Sequence, residues 1–158
     1  MTTTTLDSPL GPLRAVADGD TLVRLAWPHE PVGAAREDAA PFRDLRDWLD
    51  AYFAGRAAPY GGPVAPAGTP FQQRVWALLR EIPHGTTTTY GALATRLGDP
   101  KAVRAVGAAN GRNPIAIVVP CHRVVGADGA LTGFAGGLDA KRFLLALEAP
   151  GLFAPLTA

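Results

Sequence analysis

The chain has 158 residues, enough for one compact domain or two small ones sharing a core. Its composition, 47% hydrophobic and 18% charged, is that of a globular protein. No run of about 18 apolar residues is present to span a membrane. The net charge of +1 conceals a split: residues 1–68 carry six Lys/Arg against nine Asp/Glu, and residues 69–158 carry nine against five. A basic half can meet a polyanion, although an excess this small is also ordinary surface charge.

The opening Met1-Thr2-Thr3-Thr4-Thr5-Leu6-Asp7 lacks the basic region and apolar core of a signal peptide. With one unpaired cysteine, which fits a reducing interior, it predicts a cytoplasmic protein. Leu10 to Trp27 reads as a β-hairpin: Leu13–Val16 and Leu22–Leu25 flank the turn signal Asp18-Gly19-Asp20. An amphipathic helix follows from about Asp38 to Ala54, with Phe42, Leu45, Trp48, Leu49, Tyr52 and Phe53 at helical spacing and Gly55 as its stop. Residues 56–68 hold three prolines and three glycines, so they are read as a linker. The expected division is 1–62 and 63–158.

Thr69 and Gln72 form a capping box around Pro70, starting a helix that buries Phe71, Val75, Leu78, Leu79 and Ile82 and ends at Pro83. A short helix from Thr89 to Leu97 follows. Asp99 then caps another, with Pro100 at its first position, running to about Asn110. Two short helices joined by a Gly-Asp-Pro turn fit a helix-turn-helix, and equally any helical hairpin. Val103 and Val106 are expected to face inward. Arg104 shares the opposite face with Lys101 and Ala108. A long arginine on a face of small residues suits entry into a DNA groove, while the plainer reading is a solvated side chain.

Ile115–Val119 is β-branched and continuous, so a buried strand is expected. Val124-Val125 and Leu131-Thr132 flank a turn at Ala127-Asp128-Gly129. Residues 133–137 form a glycine-rich loop. Leu138 to Glu148 closes the pattern as a helix with Phe143, Leu144 and Leu147 inward.

The chemistry centres on Pro120-Cys121-His122-Arg123-Val124. A lone cysteine makes no intrachain disulfide and no thiolate-rich metal site. It is either a buried inert thiol or a nucleophile. His122 is the adjacent base, but neighbours in a strand point to opposite faces. Coupling the two needs a turn at Pro120 or a bridging water. Glu148 is the candidate acceptor to orient His122, and its place at a helix C-terminus, where a carboxylate is disfavoured, hints at such a purpose.

That pentapeptide resembles the active-site signature of the O6-alkylguanine-DNA alkyltransferases (methylated-DNA–protein-cysteine methyltransferases). Thr69-Pro70-Phe71-Gln72, Ile82-Pro83-His84-Gly85, Tyr90-Gly91, Arg104-Ala105-Val106-Gly107, Asn113-Pro114, and Gly136-Gly137-Leu138 with Lys141 and Glu148 follow in the family's order. The resemblance is dense over residues 69–150. It implies an α+β protein: a small N-terminal α/β domain (β-hairpin plus helix), then a helix-rich, winged-helix-like DNA-binding domain with a helix-turn-helix. It implies that Cys121 takes the alkyl group from guanine O6, that His122 acts as base through a water, and that Glu148 orients it. Asn113 shapes the turn, and Tyr90 hydrogen-bonds the flipped base and helps protonate it.

The same resemblance implies that Arg104 fills the vacated stack. Lys101, Ala102, Ala105, Gly107, Arg112 and Arg123 complete the implied DNA-binding set, and Phe134, Ala135 and Val124 join Tyr90 around the substrate. The implied partner is double-stranded DNA containing O6-alkylguanine, with O4-alkylthymine a further candidate substrate. The implied protein is a monomer that acts once and needs no cofactor. No metal is expected, since His29 stands without cysteines nearby.

Phe134 stands where the family often has tyrosine, and Ala135 follows it, which bears on substrate preference. Three other readings compete. A non-catalytic alkylguanine sensor would lack the cysteine. A transcriptional regulator would need base-reading side chains that the Ala/Gly-rich helix does not offer. A cysteine peptidase would need a signature that does not surround Cys121.

Overall fold

The computed structural model describes residues 1–150. The chain divides into two compact units. One comprises Met1–Ala67 with Pro114–Val118, and the other comprises residues 68–113 with 119–150.

In the first unit, β2 (Leu13–Asp18) and β3 (Thr21–Ala26) form the expected hairpin, with Gly19 at φ +59° in its turn. Two further strands extend it: β1 (Thr2–Leu6) lies antiparallel to β2, and β4 (Arg36–Glu37) lies parallel to β1, giving the order β3-β2-β1-β4. The threonine run was not expected as a strand, because it lacks an apolar alternation. Its strand character comes from pairing, with Thr3 donating its hydroxyl to the Ala15 carbonyl at 2.7 Å.

Helix α1 (Arg43–Phe53) begins later than the expected Asp38, because a short 3-10 turn at Ala40–Phe42 carries Pro41. It buries Leu45, Leu49 and Tyr52 on one stripe. The proline- and glycine-rich stretch is tied down along its length. Trp48 Nε1 donates to the Ala58 carbonyl at 2.8 Å, and Leu22 exchanges backbone hydrogen bonds with Pro63 and Ala65.

The run Ile115–Val119 is buried as expected but is not a strand. Only Ile115 bridges to β3, through Leu25, and the chain then turns with Ile117 at φ +69°. A β-branched residue rarely adopts that conformation, at a cost of about 1–3 kcal/mol. Tight turning has overridden strand propensity here.

The second unit opens with α2 (Pro70–Leu79), whose capping box between Thr69 and Gln72 is fully formed. It buries Val75, Trp76 and Leu79, and Trp76 Nε1 donates to the Ala109 carbonyl at 2.8 Å. β5 (Thr88–Thr89) leads into α3 (Tyr90–Arg96), capped by Thr89 Oγ1, which accepts from the Ala92 amide. α4 (Val103–Gly111) packs against both α2 and α3.

Its expected start at Pro100 is too early. Residues 99–102 form a turn closed by the Ala102 amide on the Asp99 carbonyl, so the helix begins at Val103. Consequently Val103 is 40% exposed rather than inward, and Val106, Ala109 and Asn110 carry the buried face. β6 (Val124–Val125) pairs in parallel with β5, the turn at residues 126–130 is closed by Gly126 on the Ala130 carbonyl, and α5 runs from Leu138 to Glu148 as expected. Among the described residues no helix is long and apolar enough to cross a membrane.

Candidate active site

Cys121 opens a single 3-10 turn, Cys121–Arg123, immediately after the buried Pro120. This answers the geometric difficulty of adjacent residues in a strand, because a turn replaces the strand. The thiol is 6% exposed. Two asparagines hold the backbone around it. Asn113 Nδ2 donates to the Val119 carbonyl at 2.7 Å, and Asn110 Nδ2 donates to the Cys121 carbonyl at 3.4 Å. Asn113 therefore sits where a turn-shaping role requires.

His122 is fully buried and lies 2.6 Å from Glu148, Nε2 to Oε2. A carboxylate only accepts, so Nε2 carries the proton and Nδ1 carries the lone pair. Nδ1 is buried and has no hydrogen-bond partner among the described residues. The imidazole is thus presented as a base.

Burial lowers the His122 pKa below its ordinary value. The hydrogen bond and charge of Glu148 oppose that shift, and the cations Arg123 and Lys141 add to it. Burial alone would raise the Glu148 carboxyl. The hydrogen bonds and charges of His122 and Arg123 outweigh it and hold the group well below the usual carboxylate range.

Arg123 was expected on the DNA-binding face. Its guanidinium instead grips Glu148, with Nε to Oε1 at 2.7 Å and Nη2 to Oε2 at 3.0 Å, while Nη1 donates to the Ile82 carbonyl at 2.7 Å. This forked arrangement fixes the carboxylate in both position and charge.

Lys141 joins the cluster and had no expected role. It is fully buried, and its Nζ donates to the Val124 carbonyl at 2.7 Å. Burial lowers its pKa, and the negative charge of Cys121 opposes that shift. The Lys141 ammonium also lies 6.0 Å from the centroid of the Phe134 ring, at the edge of cation–π range. A sequence signal for Lys141 does exist. It stands on the same stripe of α5 as Leu144, Leu145 and Glu148, so two charges occupy an otherwise apolar face.

Tyr90 is half-buried at the start of α3, with its hydroxyl 2.7 Å from Thr132 Oγ1. Gly107 of α4 faces its ring, and a Cβ there would stand 3.9 Å from Tyr90 Cδ1. Lys101, Arg104, Ala105 and Arg112 are all exposed, and Ala102 is half-buried. Phe134 is half-buried, Ala135 exposed and Val124 fully buried. The structure therefore brings together Cys121, His122, Arg123, Glu148, Asn113 and Lys141, and sets Arg104 on the outer face of α4.

The chain is similar to known proteins over nearly all of its length. The family described as 6-O-methylguanine DNA methyltransferase, ribonuclease-like domain, matches residues 1–66, and 6-O-methylguanine DNA methyltransferase, DNA binding domain, matches residues 70–150. A Methanosarcina acetivorans protein named methylated-DNA–protein-cysteine methyltransferase is 49% identical over 147 residues, covering 90% of this chain and 94% of that one. One of the same name from Mycobacterium bovis is 47% identical over 157 residues, covering 97% and 95%. The crystal structure of Mycobacterium tuberculosis OGT in complex with DNA matches with a TM-score of 0.91 at 46% identity, over 96% of each chain. By sequence and fold, this chain belongs to the 6-O-methylguanine DNA methyltransferase family.

Proposed function

We propose that the protein repairs DNA by moving an alkyl group from O6 of guanine onto Cys121, once per molecule. The observation that carries this reading is the buried array in which Glu148, fixed by Arg123, holds the proton of His122 on Nε2 and leaves Nδ1 with its lone pair, in the same turn that Cys121 opens. His122 accepts the Cys121 proton, directly or through one water. The sulfur forms a bond to the alkyl carbon as the carbon–O6 bond breaks, and the electron pair passes to the base. Tyr90 supplies a proton to the departing guanine. The thioether product has no easy leaving group, which makes the reaction single-turnover. O4-alkylthymine presents the same kind of alkyl–oxygen bond and is a second candidate substrate.

The target atom lies inside the duplex, so the base must leave the stack. We assign α3 and α4 to a helix-turn-helix that approaches the minor groove. The small, exposed face of α4 lets backbone approach closely, and Arg104 takes the vacated space. The DNA-bound relative supports DNA as the partner.

Intact mass after incubation with duplex carrying O6-methylguanine tests the reaction. A gain of about 14 Da on the Cys121 peptide is the expected result for methyl transfer to sulfur. No gain despite binding would leave a damage sensor. Arg104→Ala tests the flipping role. It is expected to slow repair of duplex at least about tenfold, because it removes part of the energy offsetting unstacking, and to slow reaction with free O6-methylguanine base less than about twofold. Equal losses on the two substrates would remove Arg104 from that role.

A further inference from the structure

Tyr90 Oη and Thr132 Oγ1 are 2.7 Å apart, and either can donate. Tyr90 stands at the first turn of α3, and Thr132 lies 42 residues later, after the turn at residues 126–130. Gly126 backs the threonine: a Cβ there would stand 3.6 Å from Thr132 Cγ2. A β-branched side chain has few rotamers to choose from, and this one sets its hydroxyl against Tyr90 Oη. Gly107 backs the ring of Tyr90 in the same way.

From this geometry we infer that Thr132 is a positioning residue for the leaving-group proton. The inference rests on the alkyl-transfer reading above. Thr132 donates to Tyr90 Oη, which leaves the Tyr90 proton for the base. When the carbon–O6 bond breaks, that proton moves from Tyr90 to the guanine, and the phenolate formed is stabilised by the Thr132 hydrogen bond. The proton that His122 took from Cys121 restores the phenol through solvent, so the net change is one alkyl group from oxygen to sulfur and one proton from sulfur to guanine. The interaction strengthens as charge builds on Tyr90, so it acts on the transition state more than on binding.

Single-turnover transfer by the full chain, followed by intact mass over a range of protein concentrations, separates half-saturation from limiting rate. Thr132→Val keeps the shape and removes the hydroxyl. It is expected to lower the limiting rate between about tenfold and a hundredfold, the range for a hydrogen bond to a charged group, with half-saturation within about twofold of the wild type. Thr132→Ser is expected to restore most of the rate.

In a Tyr90→Phe background, Thr132→Val is expected to add no further loss, since the threonine acts only through the phenol. Three outcomes overturn the inference: a wild-type limiting rate for Thr132→Val, an equal loss for Thr132→Ser, or a full additional loss beside Tyr90→Phe. A wild-type protein that fails to gain a methyl group would instead overturn the alkyl-transfer reading.

Discussion

Cys121→Ala is expected to show no methyl gain on any residue, while binding duplex that contains O6-methylguanine within about twofold of the wild type, because the atom removed is the nucleophile rather than a DNA contact. The chain has no other cysteine to substitute for it. Cys121 is 6% exposed in a turn whose backbone carbonyls accept from two side chains, Asn113 Nδ2 at Val119 and Asn110 Nδ2 at Cys121. Both asparagines reach carbonyl oxygens, so these two bonds survive the substitution.

Loss of one buried sulfur is expected to cost about 1–2 kcal/mol, below the cost of larger core deletions. Cys121→Ser should be as inactive, since a hydroxyl beside the same base is a far poorer nucleophile toward alkyl carbon. Intact mass with peptide mapping decides the point. Methyl on a different residue, or transfer by either variant at a rate near wild type, would move the nucleophile elsewhere.

The second large effect should come from Glu148. Its side chain is 1% exposed and satisfies His122 and Arg123 together. Glu148→Ala would leave a buried guanidinium without its anion and an imidazole without its orienting acceptor. Breaking such a pair from one side is expected to cost about 3–5 kcal/mol, a fall in Tm of roughly 10 °C for a chain of this size. The transfer rate should drop by at least about a hundredfold, as base catalysis is lost with the tautomer and aim of His122.

The stability difference should also depend on pH. The folded carboxyl is held below its unfolded value of about 4.3, so the unfolded chain takes up a proton that the folded chain refuses. The contribution of Glu148 is therefore complete above about pH 4.3 and fades as the solution is acidified further. Thermal melts of the wild type and Glu148→Ala should converge as pH is lowered through that region. A constant gap across it, or a variant that melts and reacts like the wild type, would contradict this role.

The elements legible in the sequence are those with local punctuation. The hairpin has Asp18-Gly19-Asp20, α2 has its capping box, and α5 has Gly137 before it and a clear apolar stripe. Elements defined by distant partners were not legible. β1 and β4 exist because they pair, and Ile115–Val119 turns although its residues favour strands. The start of α4 was misplaced because Asp99-Pro100 satisfies the sequence rules for a cap while the backbone forms a separate turn.

At the site, Cys121, His122, Glu148 and Asn113 stood out through the motif and its resemblance. Lys141 and Arg123 lay in the same motifs, but their places did not stand out, since a charged side chain reads as a surface group until its distant acceptors are known. Those acceptors are the Val124 carbonyl for Lys141, and Glu148 and the Ile82 carbonyl for Arg123.

The excursion of Pro114–Val118 into the first unit bears on how such a protein can be taken apart. The chain passes from one unit to the other at residues 67–68, returns at 113–114 and leaves again at 118–119. Cutting at the proline- and glycine-rich stretch would therefore not release an independent catalytic module. A fragment starting at Gly68 would carry Ile115, Ala116, Ile117 and Val118 as an uncovered apolar segment, deprived of the Leu25 backbone that now receives it. That segment ends three residues before Cys121. For gene fusion and domain exchange, residues 114–118 therefore travel with the first unit rather than with the chain on either side of them.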